Sequence, residues 1–345
     1  MSANKVILAC AGSRKTSTII EKALSLTDRR VLITTYTINN TDQKKDRIIS
    51  IKGYIPKNIT VSTWFSFLLS DGARPYQNVC YSKRRIKSIF FVNKKSVPFI
   101  GEKEFNKHYF YDSELIYTDK LSKFIIKCNN ISSGAVLKRL EDIYDHIFID
   151  EVQDMAGYDF DFIELLMKSD IATTVVGDCR QATYFTNCSP KNRQFKGCRI
   201  DDLFKKWGNE SLCEVEERNT NFRSNQDICS FADKLYPDLP PSVSKDVPLT
   251  GHDGFFFIKH QQKVEEYIEE YNPIVLRWDK RTKVKSDQVM NFGATKGLEF
   301  DRVLIYPTND ITMFLKNKAE LKPLSKAKFY VALTRARYSV AILLL

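Results

Sequence analysis

The chain has 345 residues, 43% of them hydrophobic, and a formal net charge of +11. Its length allows two or three domains with sizeable cores, and its longest apolar runs are far too short for a helical membrane span. The basic balance favours an anionic partner such as nucleic acid over a surface charged merely for solubility; it bears on association rather than fold.

Eight cysteines show neither a CxxC pair nor metal-ligand spacing. They read as buried free thiols of a reducing compartment, so the expected location is cytoplasmic. The first strand begins too early to leave room for a signal peptide.

Residues 5–9, KVILA, read as a buried strand. A small-residue loop follows, Cys10-Ala11-Gly12-Ser13, then Arg14-Lys15-Thr16, then a helix pattern with Ile19, Ile20, Ala23 and Leu24 on one face. Strand, tight loop, Lys-Thr and helix is the layout of a phosphate-binding loop. Backbone N–H groups at the helix start suit a polyphosphate, Lys15 reaches the outer phosphates, and the Thr16 hydroxyl reaches a magnesium ion. The same letters also describe an ordinary helix start, and Arg14 stands where such loops usually place Gly.

Residues 30–35 read as a second buried strand, followed by a polar helix to about residue 51. A third strand at 59–62 ends in Thr63-Trp64-Phe65-Ser66-Phe67. Alternating strands and helices indicate a parallel sheet, with ligand loops at the carboxyl ends of its strands. Residues 71–133 break the pattern, with basic clusters at 83–85 and 94–95 and interleaved aromatics such as Tyr81, Phe90, Phe91 and Phe110. They read as an insertion whose aromatics either stack on bases or form a small satellite core. A strand at 146–149 runs into Asp150-Glu151-Val152-Gln153-Asp154. One carboxylate there can hold magnesium while its neighbour orients or deprotonates a water; a solvated turn is the bland alternative. A strand at 173–176 exits through Gly177-Asp178-Cys179-Arg180-Gln181, where Gln181 is placed to sense a terminal phosphate.

A helix at 200–206 closes the first domain, 1–206, and a strand at 212–216 opens the second, 207–345. Then come Asn221-Phe222-Arg223-Ser224 with a helix at 226–235, a Pro-rich linker or loop at 237–248 and a strand at 255–258. The helix at 261–271 turns Val264, Tyr267, Ile268 and Tyr271 inward and leaves its glutamates in solvent. A strand at 273–276, a short basic connection, TKGLEFD at 295–301, a strand at 303–306, VALTRAR at 331–337 and a strand at 339–344 complete the chain.

In this order the motifs resemble those of superfamily 1 helicases of the UvrD/Rep/PcrA group. Residues 9–16 are similar to motif I, 32–40 to motif Ia, 62–67 to motif Ib, DEVQD to motif II, GDCRQ to motif III, NFRS to motif IV, TKGLEFD to motif V and VALTRAR to motif VI. The resemblance implies an α/β fold of two RecA-like P-loop domains with parallel sheets, ATP and Mg2+ in the cleft and single-stranded DNA across the top. It implies that Ala11, Gly12, Ser13, Arg14, Lys15 and Thr16 bind the nucleotide together with Glu299, and that Thr16 and Asp150 hold the metal. Glu151 becomes the general base, Gln181 the γ-phosphate sensor, and Arg223 and Arg335 arginine fingers. Thr37, Asn39, Thr63, Tyr184, Phe185 and Lys296 fall among the DNA-contacting positions.

Four departures stand out. Arg14 replaces a Gly of motif I, and Cys10 another. The adenine-reading glutamine motif has only Met1–Lys5 to occupy. The Trp that ends motif III falls on Thr186, leaving Tyr184 and Phe185 as stacking surfaces. The accessory insertions are reduced, the first to about 71–133 and the second to a basic loop at about 280–288. The expected function is therefore a compact DNA-dependent ATPase, a helicase or translocase; the alternative is a non-hydrolysing nucleotide- or DNA-binding scaffold, on account of Arg14. In its reduced accessory domains the chain also resembles GajB, the helicase-like subunit of the Gabija anti-phage system, which implies antiviral defence and a nuclease partner.

Overall fold

The computed structural model describes residues 4–344. Met1–Ala3 and Leu345 lie outside the described residues, so the expectation about the stretch ahead of the first strand falls largely outside them. Contacts divide the chain into two compact units. The first comprises residues through Leu8, Lys15–Cys179 and Tyr184–Glu216; the second comprises Ala9–Arg14, Arg180–Thr183 and residues from Glu217 onward.

The described strands that belong wholly or mainly to the first unit are β1 (Lys5–Ala9), β2 (Val31–Thr35), β3 (Ile59–Thr63), β4 (Ser88–Phe90), β5 (Leu115–Tyr117), β6 (His146–Asp150), β7 (Ala172–Gly177) and β8 (Glu214–Arg218). Six form one sheet in the order β3-β2-β6-β7-β1-β8. The pairs β2/β3, β2/β6, β6/β7 and β1/β7 are parallel. Such strands bury both faces, so their sequences run apolar without alternation; β2 and β6 bury every residue. The chain leaves β1 through helix α1 (Lys15–Ser25) and re-enters the sheet at β2, with β6 and β7 lying between. A reversal of this kind opens a ligand crevice at the carboxyl ends of the strands.

Helix α2 (Ile38–Lys52) follows β2 and ends at Gly53, whose φ of 81° suits a left-handed C-cap. The region 71–133 contributes the parallel pair β4/β5 and a core of its own. Tyr81 stacks on Phe110 with ring centroids 4.2 Å apart, and Tyr109 and Phe110 pack on Phe124 at 5.6 and 5.8 Å. Most of its aromatics are therefore a satellite core, while Phe91, Phe99 and Tyr111 stay exposed.

One boundary differs from the sequence expectation. The strand expected to open the second domain is β8, and it lies at the edge of the first sheet beside β1. The Glu214 N–H donates to the Asn4 carbonyl at 3.0 Å, and Lys5 pairs with Glu216. A strand as charged as EVEER is tolerated because an edge faces solvent on one side.

The second unit contains β9 (Thr220–Asn221), β10 (Val243–Ser244), β11 (Gly254–Ile258), β12 (Ile274–Arg277), β13 (Val289–Asn291), β14 (Phe300–Ile305) and β15 (Ala336–Leu343) among its described residues. Five of these make a parallel sheet in the order β11-β15-β14-β12-β13. Ile258, Val264, Tyr267, Val275, Leu304, Ala341 and Leu343 form its core, with Ile268 and Tyr271 packed against it, as the 3.6-residue spacing of the helix Gln262–Tyr271 requires. Residues 278–288, between β12 and β13, hold no helix or strand. The α/β class built on parallel sheets is thus as the sequence indicates.

Candidate nucleotide and nucleic-acid sites

In the first unit the expected site segments leave the carboxyl ends of β2, β3, β6 and β7. Lys15 and Thr16 open α1 and so stand at a helix N-terminus, the end of a helix that suits an anion. Lys15 Nζ lies 4.0 Å from Asp178 Oδ2, with the side chains 12% and 1% exposed. Asp150 ends β6, and its Oδ1 accepts the Glu151 N–H at 2.9 Å. Its Oδ2 lies 2.6 Å from Lys44 Nζ, both side chains being 3% exposed.

Lys44 was not singled out by the sequence, because it sits in the polar run DQKKDR. The available signal was spacing: Asn40, Lys44 and Ile48 fall four apart on the buried face of α2. Glu151 holds a left-handed φ of 59°, an unfavourable conformation that surrounding contacts must enforce. Gln153 supplies one of them, its Nε2 donating to the Glu151 carboxylate, while its Oε1 accepts the Asp178 N–H at 3.1 Å. The motif ends of β6 and β7 are thereby tied together. Gly177 permits this closeness, since a Cβ there would lie 2.6 Å from Gln153 Oε1 and 2.8 Å from Val152 Cγ1.

The second unit gathers the remaining nucleotide candidates. Gly12 has φ 73°, and a Cβ on it would lie 2.0 Å from Asn221 Oδ1. That oxygen accepts the N–H groups of Arg223 at 2.7 Å and Ser224 at 3.0 Å, while the Phe222 N–H donates to the Gly12 carbonyl at 3.0 Å. Ala11 and Ser13 are buried, and Ser13 Oγ donates to the Cys10 carbonyl at 2.8 Å. Arg14 keeps a left-handed φ of 60°, the conformation a Gly would favour, and its guanidinium lies 4.0 Å over the Phe222 ring.

Arg335 is 2% exposed. Its guanidinium donates to Gln181 Oε1 at 3.1 Å and to the carbonyls of Val331 and Leu298 at 3.1 and 3.2 Å. Lys296 Nζ donates to the Gln181 carbonyl at 3.2 Å. Arg223 donates to Glu299 at 3.1 Å and to the Thr334 carbonyl at 3.2 Å. Glu299 also receives Arg337, a residue the sequence reading passed over although it closes VALTRAR. Burial raises the Glu299 pKa, but the Arg337 and Arg223 contacts outweigh it and leave the carboxyl below its usual value. The Glu299 carboxylate, expected to face nucleotide, is here the brace that positions two arginines.

The nucleic-acid candidates separate. Thr37 and Thr63 are helix N-caps: Thr37 Oγ1 accepts the Asn40 N–H at 3.2 Å and Thr63 Oγ1 the Ser66 N–H at 3.1 Å. Both also line a cavity of about 440 Å³ with Tyr36, Phe65, Ile89 and Phe91. Asn39 is exposed on the first turn of α2. Tyr184 is 43% exposed, and Phe185 carries Lys196 Nζ 4.0 Å from its ring centroid. Thr186 is buried and donates to Asp159, which also receives Ser122 and Asn187. Burial raises the Asp159 pKa against those hydrogen bonds. Thr186 thus serves the interior, and Tyr184 is the exposed aromatic near it, with Phe185 partly buried.

Among the described residues no group of three or more His, Cys, Asp or Glu could hold a metal. The Thr16 hydroxyl and Asp150 carboxylate are nonetheless a hard oxygen donor set of the sort that suits Mg2+ when phosphates supply the remaining ligands. Cys10, Cys128, Cys179, Cys213 and Cys229 are buried free thiols, while Cys80, Cys188 and Cys198 are partly exposed. Among the described residues no helix is long and apolar enough to cross a membrane.

Residues 76–194 match the family model of the UvrD/REP helicase N-terminal domain. No curated protein matches the sequence. Solved structures similar to the chain include an Arterivirus nonstructural protein 10 (helicase), at 14% identity and TM-score 0.47, covering 99% of this chain and 60% of that one. A PRRSV helicase shows 15% identity and TM-score 0.47, covering 99% and 52%. The Arterivirus protein in complex with DNA shows 13% identity and TM-score 0.47, covering 99% and 61%. The chain therefore spans little more than half the length of these helicases. The family-model match takes in 119 of the 345 residues (194 − 76 + 1).

Proposed function

We propose that the chain is a compact superfamily 1 motor that hydrolyses ATP and moves on single-stranded DNA. The observation that carries the reading is the buried Arg335 guanidinium on Gln181 Oε1 at 3.1 Å: an arginine and a glutamine so paired suit a terminal phosphate, and a scaffold has no need of either. Lys15 and the loop Ala11–Arg14 bind phosphates, Thr16 and Asp150 hold magnesium, and Glu151 takes the proton of the attacking water. Gln181 senses the terminal phosphate, and Arg223 and Arg335 counter the charge that builds on the transferred group. Bound magnesium withdraws charge from the phosphate oxygens. Thr37, Asn39, Thr63, Tyr184, Phe185 and Lys296 contact the strand, with exposed aromatics stacking on bases.

The test is ATP hydrolysis with and without single-stranded DNA, on wild type and Glu151→Gln. DNA should stimulate hydrolysis, and the variant should lose about 10²–10⁴-fold while still binding nucleotide. Absence of hydrolysis from the folded wild type with any nucleic acid refutes the reading. The rival reading, a scaffold that binds without turnover, draws on the Lys44–Asp150 pair, which already neutralises the metal carboxylate; it predicts equal nucleotide binding and no turnover in both proteins. A nuclease subunit, as in GajB-type assemblies of the cytoplasm, is the proposed partner, and co-elution with a candidate nuclease tests it.

A further inference from the structure

Lys44 has no part in the roles above, yet it is among the most deeply buried charges of the first unit. Its Nζ lies 2.6 Å from Asp150 Oδ2 with both side chains 3% exposed, and Asp150 Oδ1 is taken by the Glu151 N–H. The lysine shares the buried face of α2 with Asn40, Thr41 and Ile48, so it is not a solvated charge that happens to reach inward. A carboxylate neutralised in this way offers little attraction to a free divalent cation, and the fixed ammonium beside it repels one. Removing either partner strands the other as a lone buried charge. Nucleotide phosphates bring the negative charge that the pair withholds, and magnesium takes phosphate oxygens readily.

We propose that Lys44 is the resident counter-cation of the metal site, a positioning residue that holds Asp150 and keeps free Mg2+ out, so that metal enters only together with nucleotide phosphates. This rests on the assignment of Asp150 as the metal carboxylate.

The experiment uses the full chain without nucleotide. Thermal unfolding is followed in EDTA and in millimolar Mg2+, and Mn2+ binding is followed by electron paramagnetic resonance. Wild type should show no Mg2+-dependent shift and no bound Mn2+. Lys44→Met should melt on the order of 10 °C lower in EDTA, recover in Mg2+, and bind Mn2+ at least about tenfold more tightly. The double variant Lys44→Met/Asp150→Asn should regain most of the lost stability and respond to neither metal. A Lys44→Met protein that folds and ignores both metals overturns the proposal, as does a wild type that binds Mn2+ equally well. Should Lys44→Met fail to fold, the double variant decides: recovery upholds the pairing, and no recovery overturns it. A fluorescent ATP analogue separates the two claims. Nucleotide binding by wild type with a metal-blind Lys44→Met refutes the counter-cation role alone. A metal-responsive Lys44→Met in a chain that binds no nucleotide refutes the nucleotide reading alone.

Discussion

Arg14→Gly tests the residue that most sets this phosphate loop apart. Arg14 sits at φ 60°, a conformation that costs a residue with a Cβ about 1–2 kcal/mol. Glycine relieves that cost but gives the unfolded chain freedom worth about 0.4–1 kcal/mol. It also removes the guanidinium that lies 4.0 Å over Phe222, a contact worth about 0.5–1 kcal/mol at an exposed site. The gain and the two losses nearly cancel, so stability should change by less than about 1 kcal/mol, a melting shift within roughly 3 °C. A side chain held on Phe222 does not crowd the phosphates, so nucleotide affinity should stay within about threefold. Arg14→Ala keeps the strain and loses the ring contact, so it should be the less stable of the two variants. Thermal unfolding and titration with a fluorescent nucleotide measure both quantities. A gain of tenfold or more in affinity for Arg14→Gly refutes the reasoning, because it would mean that Arg14 crowds the phosphates instead of resting on Phe222.

Burial pushes the His146 pKa down to about 4, with Lys22 adding to the effect. The folded state therefore binds this proton less readily than the unfolded chain. The resulting stability is fully present above about pH 6.5 and is lost as pH falls towards 4, to a total of about 3 kcal/mol. Urea midpoints across that range should show the slope, and His146→Gln should flatten it; equal slopes would exclude His146 as the source. Gly177→Ala should cost about 1–3 kcal/mol, because the new Cβ meets Gln153 and Val152 at 2.6 and 2.8 Å, and an unchanged urea midpoint would show that Gln153 moves freely. Single-stranded DNA binding should weaken linearly in log–log form as salt rises; a flat titration would remove the basic surface from the account.

The sequence by itself determined most of the elements and the α/β class. Apolar runs such as VLITT and HIFID had nowhere to go but a sheet covered on both faces, and Lys15-Thr16 after KVILA marked the start of a helix that follows a strand. These are local patterns, legible because strand and helix periodicity is written in neighbouring residues. The domain boundary was less legible: the strand expected at 212–216 read as the opening of a new domain, and β8 is the edge of the first sheet. The aromatics of 71–133 suited either bases or a core, and the fold gave most of them to a core.

What only the tertiary structure decided is which partner each charge meets. Lys44 and Asp150 are 106 positions apart (150 − 44), and nothing near either residue announces the other. Arg14 meets Phe222 and Arg335 meets Gln181 across still longer stretches of chain. Thr37 and Thr63 carry the letters of DNA contacts and the geometry of helix caps. The physical reason is common to all of them. A buried charge or a strained φ is tolerated only when distant residues converge to satisfy it, and that convergence is a property of the assembled sheet rather than of any stretch of chain.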